Sequence, residues 1–210
     1  MSKYVITISR EYGSGGRPIG NKLGEALGVG CYDKSIIAMA AEKSGLSPGY
    51  IERSEENVPS NFLLNFKYST SAFSGAGLDS ISYYDTPTND KMFLSQSAAI
   101  REIAARESCI IIGRCADYVL RDEPGLVRVF IRAEKEDRLQ RAIEDYDLPR
   151  KNAEAQLKRI DKSRANYYRY YTNRAWGGIE HTDLVINSSF TGTDGAVDII
   201  KTMLQAKGLL

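Results

Sequence analysis

The sequence predicts an α/β fold, a three-layer arrangement in which a parallel sheet carries helices on both faces. Three observations predict it. Short runs rich in Val and Ile, at about 3–8, 109–113, 126–131 and 183–187, alternate with longer segments of helical periodicity. These runs are nearly continuous in apolar residues, as strands buried on both faces are. The first run stops at Gly13-Ser14-Gly15-Gly16 and a helical pattern follows at once. Strand, glycine turn and helix in that order form the corner at which α/β proteins cradle phosphate.

Each element can be justified in turn. Lys3 to Ile8 suits a central strand. Ile19, Leu23, Ala26 and Leu27 recur at helical spacing, and Gly28 closes that helix as a C-cap. Val29 to Tyr32 is a very short strand. Asp33 stands as N-cap before Ile36, Ile37, Met39 and Ala40, a helix expected to end at Gly45. Leu46-Ser47-Pro48 starts another helix. From about 57 to 89 the pattern weakens into small and polar residues, which reads as a lobe inserted into the core. Phe93, Leu94, Ala98, Ile100, Ile103 and Ala104 mark a helix over 90–107, and Cys109 to Gly113 the strand after it. Leu126 to Ile131 is a further strand, followed by polar-rich helices at about 134–146 and 150–173. Asp183 to Asn187 is the last strand and 194–206 the last helix.

Composition narrows the classes of function. A chain of 210 residues fits one domain with a smaller inserted lobe. Its net charge of +1 gives no bulk attraction to nucleic acid or to an anionic membrane, so neither is expected as a partner. Three cysteines without C-x-x-C spacing argue against a disulfide framework or zinc site. The start reads as a strand rather than a signal peptide, and no apolar run reaches spanning length, so the expected location is cytoplasmic. Four of the thirteen tyrosines fall between Tyr167 and Tyr171, a cluster suited to internal packing or to a homodimer contact.

Ligands of open parallel sheets bind beyond the carboxyl ends of the strands. The residues there are Ser9 to Arg17, Tyr32-Asp33, Gly113-Arg114, Arg132 and Asn187-Ser188. Gly13, Ser14, Gly15 and Gly16 can form an anion nest at a helix N-terminus. The loop is close to G-x-x-x-x-G-K-[ST] without matching it, because Gly15 is followed by Gly16-Arg17-Pro18. Arg17 is the expected substitute for the missing lysine. On the helix over 150–173, Asp161, Arg164 and Tyr168 fall near one face at about 100° per residue, and Arg138 and Arg141 add basic density before it. His181, the only histidine, sits in a turn and supports no hydrolase triad. Trp176-Gly177 reads as a packed aromatic followed by a turn, and Cys115 as a buried thiol.

These segments together resemble the cytidylate kinase-like family, a branch of the P-loop nucleoside monophosphate kinases. The matching stretches are Ile8 to Arg17, Tyr32-Asp33-Lys34, Ile111 to Asp117, Asp161 to Tyr168, Trp176-Gly177 and Asp183 to Asn187. The resemblance implies a fold of the P-loop kinase type, with a helical acceptor-binding insert at about 46–90 and an arginine-bearing lid at about 147–175. It implies transfer of the ATP γ-phosphoryl group to a small acceptor, CMP or dCMP, with ATP as donor and Mg²⁺ as companion. Gly13 to Arg17 would hold the donor phosphates, and Arg17, Asp33, Arg164 and Arg169 would serve catalysis. Asp33, Arg114 and Asp161 would bind the acceptor. The family's loop lysine is here Gly16, its threonine is Pro18, and the Asp that commonly follows its Gly-Arg pair is Cys115. Two other readings stay open: a non-catalytic nucleotide-binding sensor or scaffold, and a kinase of a different small acceptor.

Overall fold

The computed structural model describes residues 3–33, Ile36, Met39 and 88–210. Five strands form one sheet in the order β2-β3-β1-β4-β5, with every neighbouring pair parallel. They are β1 (Val5–Arg10), β2 (Gly30–Tyr32), β3 (Cys109–Ile112), β4 (Leu126–Arg132) and β5 (Leu184–Asn187). The helices are α1 (Gly16–Leu27), α2 (Thr88–Arg106), α3 (Ala116–Val119), α4 (Lys135–Glu144), α5 (Ala153–Thr172) and α6 (Ser188–Ala206).

The central strand explains the three layers. Tyr4, Ile6 and Ile8 share one core with Ile19 and Leu23 of α1 and with Ala196, Ile200 and Leu204 of α6. Val5 faces the other way, toward Ile100, Ile103 and Ala104 of α2 and Val119 of α3. A strand sandwiched like this must be apolar on both faces, which is why β1 and β3 read as continuous runs. Helix α1 lies close to the sheet because its inner face carries glycine. A Cβ at Gly20 would stand 2.9 Å from Ile112 Cδ1.

The boundaries follow the local signals. Gly28 ends α1 in the left-handed conformation, at φ 65°. Helix α2 spans Thr88–Arg106, against the expected 90–107. Helix α6 begins directly at Ser188 and holds a break at Gly192 (φ 66°), where the expected helix was to begin only at 194. The four-residue α3 was not expected, being too short to show periodicity. The helix expected over 33–45 lies outside the described residues except for Ile36 and Met39, as does nearly all of the insert at 46–90.

The tyrosine cluster packs inward. Tyr167 and Tyr168 are buried, and Tyr171 stacks on Phe93 with ring centroids 4.0 Å apart. Among the described residues, no helix is long and apolar enough to cross a membrane.

Candidate functional site

The site begins where β1 runs out. Glu11 N–H still reaches Ile131 O at 3.0 Å, and the chain then turns through Gly13 (φ 77°) and Gly15 (φ 79°) into α1. Both Ser14 donors close the turn on Glu11 O, the amide at 3.3 Å and the hydroxyl at 2.9 Å. Gly15 is the N-cap of α1 and has no side chain to cap with, and the first turn carries no acidic residue. Helix-terminal amides have no acceptor within their own helix. Those of Gly15, Gly16 and Arg17 therefore present an uncompensated positive end, the local condition for binding an anion.

The loop is braced from outside by residues distant in sequence. Tyr12 N–H donates to Asp161 Oδ1 of α5 at 2.8 Å, and Arg138 Nε of α4 donates to Tyr12 O at 2.8 Å. Arg138 and Asp161 also pair with each other, which closes a ring of three elements. Arg141 Nη1 donates to Gly13 O, and Ser188 Oγ donates to Ser14 O at 2.7 Å from the start of α6. Gly13 is the tightest point, since a Cβ there would overlap Arg138 O. Gly13→Ala is expected to lower the unfolding free energy by at least about 1–2 kcal/mol, the cost of a left-handed alanine before any overlap; urea denaturation measures it.

In front of the loop three arginines converge on one carboxylate. Arg17 Nε donates to Asp33 Oδ2 at 2.7 Å, and Arg114 Nη2 lies 3.7 Å from Asp33 Oδ1. Arg114 is 4 % exposed at its side chain, whereas Arg17 is 46 % exposed. Burial pushes the Asp33 carboxyl upward, but the charges of Arg10, Arg17 and Arg114 with the Arg17 hydrogen bond outweigh it and hold it below its usual range. Three positive charges against one negative leave a cationic basin beside the open amides of α1. A depressed folded-state pKa stabilises the fold above the unfolded value, and that stability is lost as pH falls through the folded value. The acid limb of the stability curve, below about pH 4, is therefore expected to be shallower in Asp33→Asn than in the parent; pH-dependent melting tests this.

The other expected site residues separate into two groups. Arg164 lies on α5 with its guanidinium 5.4 Å from the Tyr12 ring centroid and Nη1 3.4 Å from Arg10 O, so it overhangs the loop. Asp161, expected at the acceptor, accepts from Tyr12 N–H at Oδ1 and from Arg138 at Oδ2. Arg169 is exposed and stands about 140° around the helix from Arg164, so the helix does not bring the two arginines to one face. Arg17, expected over the loop in the manner of a lysine, reaches forward to Asp33.

Farther from the basin, Arg132 is exposed and pairs with Glu134. His181 closes a short 3₁₀ turn, Trp176 packs edge-on against Phe130, and the Cys115 thiol is buried. Three contributions escaped the sequence reading. Arg10 is one of them. Another is the loop brace supplied by Arg138 and Arg141. The third is the buried Asp117, which accepts from Tyr168 OH at 2.5 Å and ties the β3 rim to α5. Burial raises the Asp117 carboxyl. Arg10 could have been suspected from its place at the end of the first strand; the brace had no local signal.

Comparison with known proteins follows this geometry. A family model described as the cytidylate kinase-like family matches residues 5–190. No curated protein matches the sequence. Among solved structures, an uncharacterized protein from Eubacterium ventriosum is 24% identical, with a TM-score of 0.70 over 97% of this chain and 99% of that one. Shikimate kinase from Bacteroides thetaiotaomicron is 11% identical, with a TM-score of 0.54 over 97% and 99% of the two chains. A gluconokinase from Sinorhizobium meliloti is 13% identical, with a TM-score of 0.50 over 98% and 96%. At these identities the likeness concerns the fold, a parallel sheet flanked by helices. With the family match running from β1 into α6, the chain belongs to the cytidylate kinase-like family.

Proposed function

We propose that the protein is a kinase that moves the γ-phosphoryl group of ATP to a small acceptor, with CMP or dCMP as the acceptor that the family points to. One observation carries the reading: α1 opens with an uncapped N-terminus, its second residue Arg17 joins Arg114 at Asp33, and Arg164 overhangs the loop that leads into it. Phosphoryl transfer needs little covalent help from the protein. It needs the two substrates in line and the charge on the transferring group neutralised. In this reading the loop amides hold the donor phosphates, Arg114 and Asp33 set the acceptor, and Arg164 meets the charge that develops between them.

The described residues do not build a protein site for Mg²⁺. Pro18 has no hydroxyl, Ser14 Oγ is committed to Glu11 O, and Asp33 is held by arginines. Mg²⁺ would enter on the triphosphate, held by phosphate oxygens and water. The chain's own cations carry the neutralisation described here.

A second reading is a nucleotide-binding sensor without turnover, favoured by Gly16 and Pro18 at the lysine and hydroxyl positions. A coupled ADP-release assay with ATP, Mg²⁺ and each nucleoside monophosphate separates the two. Release that depends on CMP or dCMP supports the kinase. ATP binding without acceptor-dependent release for any acceptor, shikimate and gluconate included, supports the sensor. Release with a different acceptor keeps the kinase and replaces CMP.

A further inference from the structure

The corner has lost its lysine, yet it has not lost the space a lysine would fill. A Cβ built on Gly16 would stand 2.6 Å from Arg10 Cβ and 2.8 Å from Arg10 Cγ. The stem of Arg10 therefore already lies where a side chain at position 16 would start. A Cβ built on Gly113, at the end of β3, would overlap Arg10 Nη1, and Arg10 Cζ would be 3.0 Å away. Arg10 thus runs from the end of β1, across the first residue of α1, to the end of β3. Two glycines leave room for one arginine. Its guanidinium ends in the basin of Arg114 and Asp33, and its backbone carbonyl receives Arg164.

We infer that Arg10, not Arg17, is the phosphate-facing cation of this loop, supplying from the strand the charge that a Walker lysine supplies from the helix. Lysine at 16 and arginine at 10 are alternatives for one space. A long side chain at either position excludes one at the other, so Arg10 with Gly16 forms a matched pair. An arginine also brings a planar fork where a lysine brings a point charge, and so suits two oxygens of one phosphoryl group. Arg17 leaves α1 toward Asp33 with its side chain half in solvent, whereas the Arg10 side chain lies across Gly16 and ends against Gly113.

The inference rests on the reading of the glycine loop as a phosphate site, and the test separates the two. Binding of inorganic tripolyphosphate, and of ATP, is measured by calorimetry for four proteins: the parent, Arg10→Met, Arg17→Met and the double variant Arg10→Gly/Gly16→Lys, in which glycine removes the Arg10 Cβ that a side chain at 16 would meet. Methionine at 10 keeps an apolar stem between the two glycines, and melting curves verify that each variant folds. Arg10→Met is expected to weaken tripolyphosphate binding by about tenfold or more, as loss of a charge-assisted contact does. Arg17→Met is expected to weaken it by clearly less. The double variant is expected to regain most of the loss, because the vacated space now accepts the lysine. Arg10→Met binding as well as the parent overturns the inference, and so does a double variant that folds yet binds no better than Arg10→Met. A parent protein that binds neither tripolyphosphate nor ATP overturns the phosphate-site reading itself, and the inference with it.

Discussion

Arg164→Ala is expected to lower kcat/KM on the order of 10³-fold while leaving the melting temperature nearly unchanged, since a cation aimed at developing charge is worth about that much. The geometry separates the two effects. Arg164 is half-buried, overhangs Tyr12 and donates to Arg10 O at 3.4 Å. That contact is long and alanine suits a helix interior, so the expected cost to the fold is small. The reaction would lose the charge that the loop amides cannot supply. Steady-state kinetics in the ADP-release assay, with a melting curve on the same preparation, tests both halves. A variant with parental kcat/KM would mean that Arg164 only covers the tyrosine ring.

Three residues earlier on the same helix, Asp161 is expected to behave in the opposite way. Arg138→Met should destabilise the protein by about 3–5 kcal/mol, because it leaves the Asp161 carboxylate without its cation at a largely buried position; Asp161→Asn should cost less, since Arg138 keeps Glu11 Oε1 at 3.3 Å. The side chains of Arg138 and Asp161 are 9 % and 18 % exposed, so solvent does little to soften the loss. Each also holds the backbone of Tyr12, by its carbonyl and its amide respectively. The double variant should be less damaged than the sum of the singles, since residues of one network couple. Urea denaturation of all four proteins measures the coupling. Additive effects would show that the ring of α4, α5 and the loop does not act as a unit. The singles should also bind tripolyphosphate more weakly, because a loop freed from its brace no longer aims its amides.

Asp161 and Arg164 mark where the sequence stopped being informative. Helical spacing placed both on one side of α5, and one turn of helix sufficed to give them different work. Spacing fixes the face of a helix but not its neighbour, and here the neighbour is Tyr12, about 150 residues away in the chain. The strands were legible because a parallel strand covered on both faces must be apolar throughout. The helix ends were legible because Gly28 carries its own conformational signature. Helix α3 was not, since four residues hold no period.

Arg10 and Arg17 show the same division at the centre of the site. The sequence alone determined that a strand meets a glycine turn and a helix, and that Gly16 and Arg17 follow where the loop pattern has its lysine. Where the arginines around that corner lie was decided in three dimensions. Arg17 is adjacent to the missing lysine in sequence, but one step along a helix turns a side chain through about 100°, and that step points it at Asp33. Arg10 precedes the turn, yet the turn folds it back across Gly16. Adjacency in sequence sets the candidates, and only the closed turn between β1, α1 and β3 sets which of them lies across the head of α1.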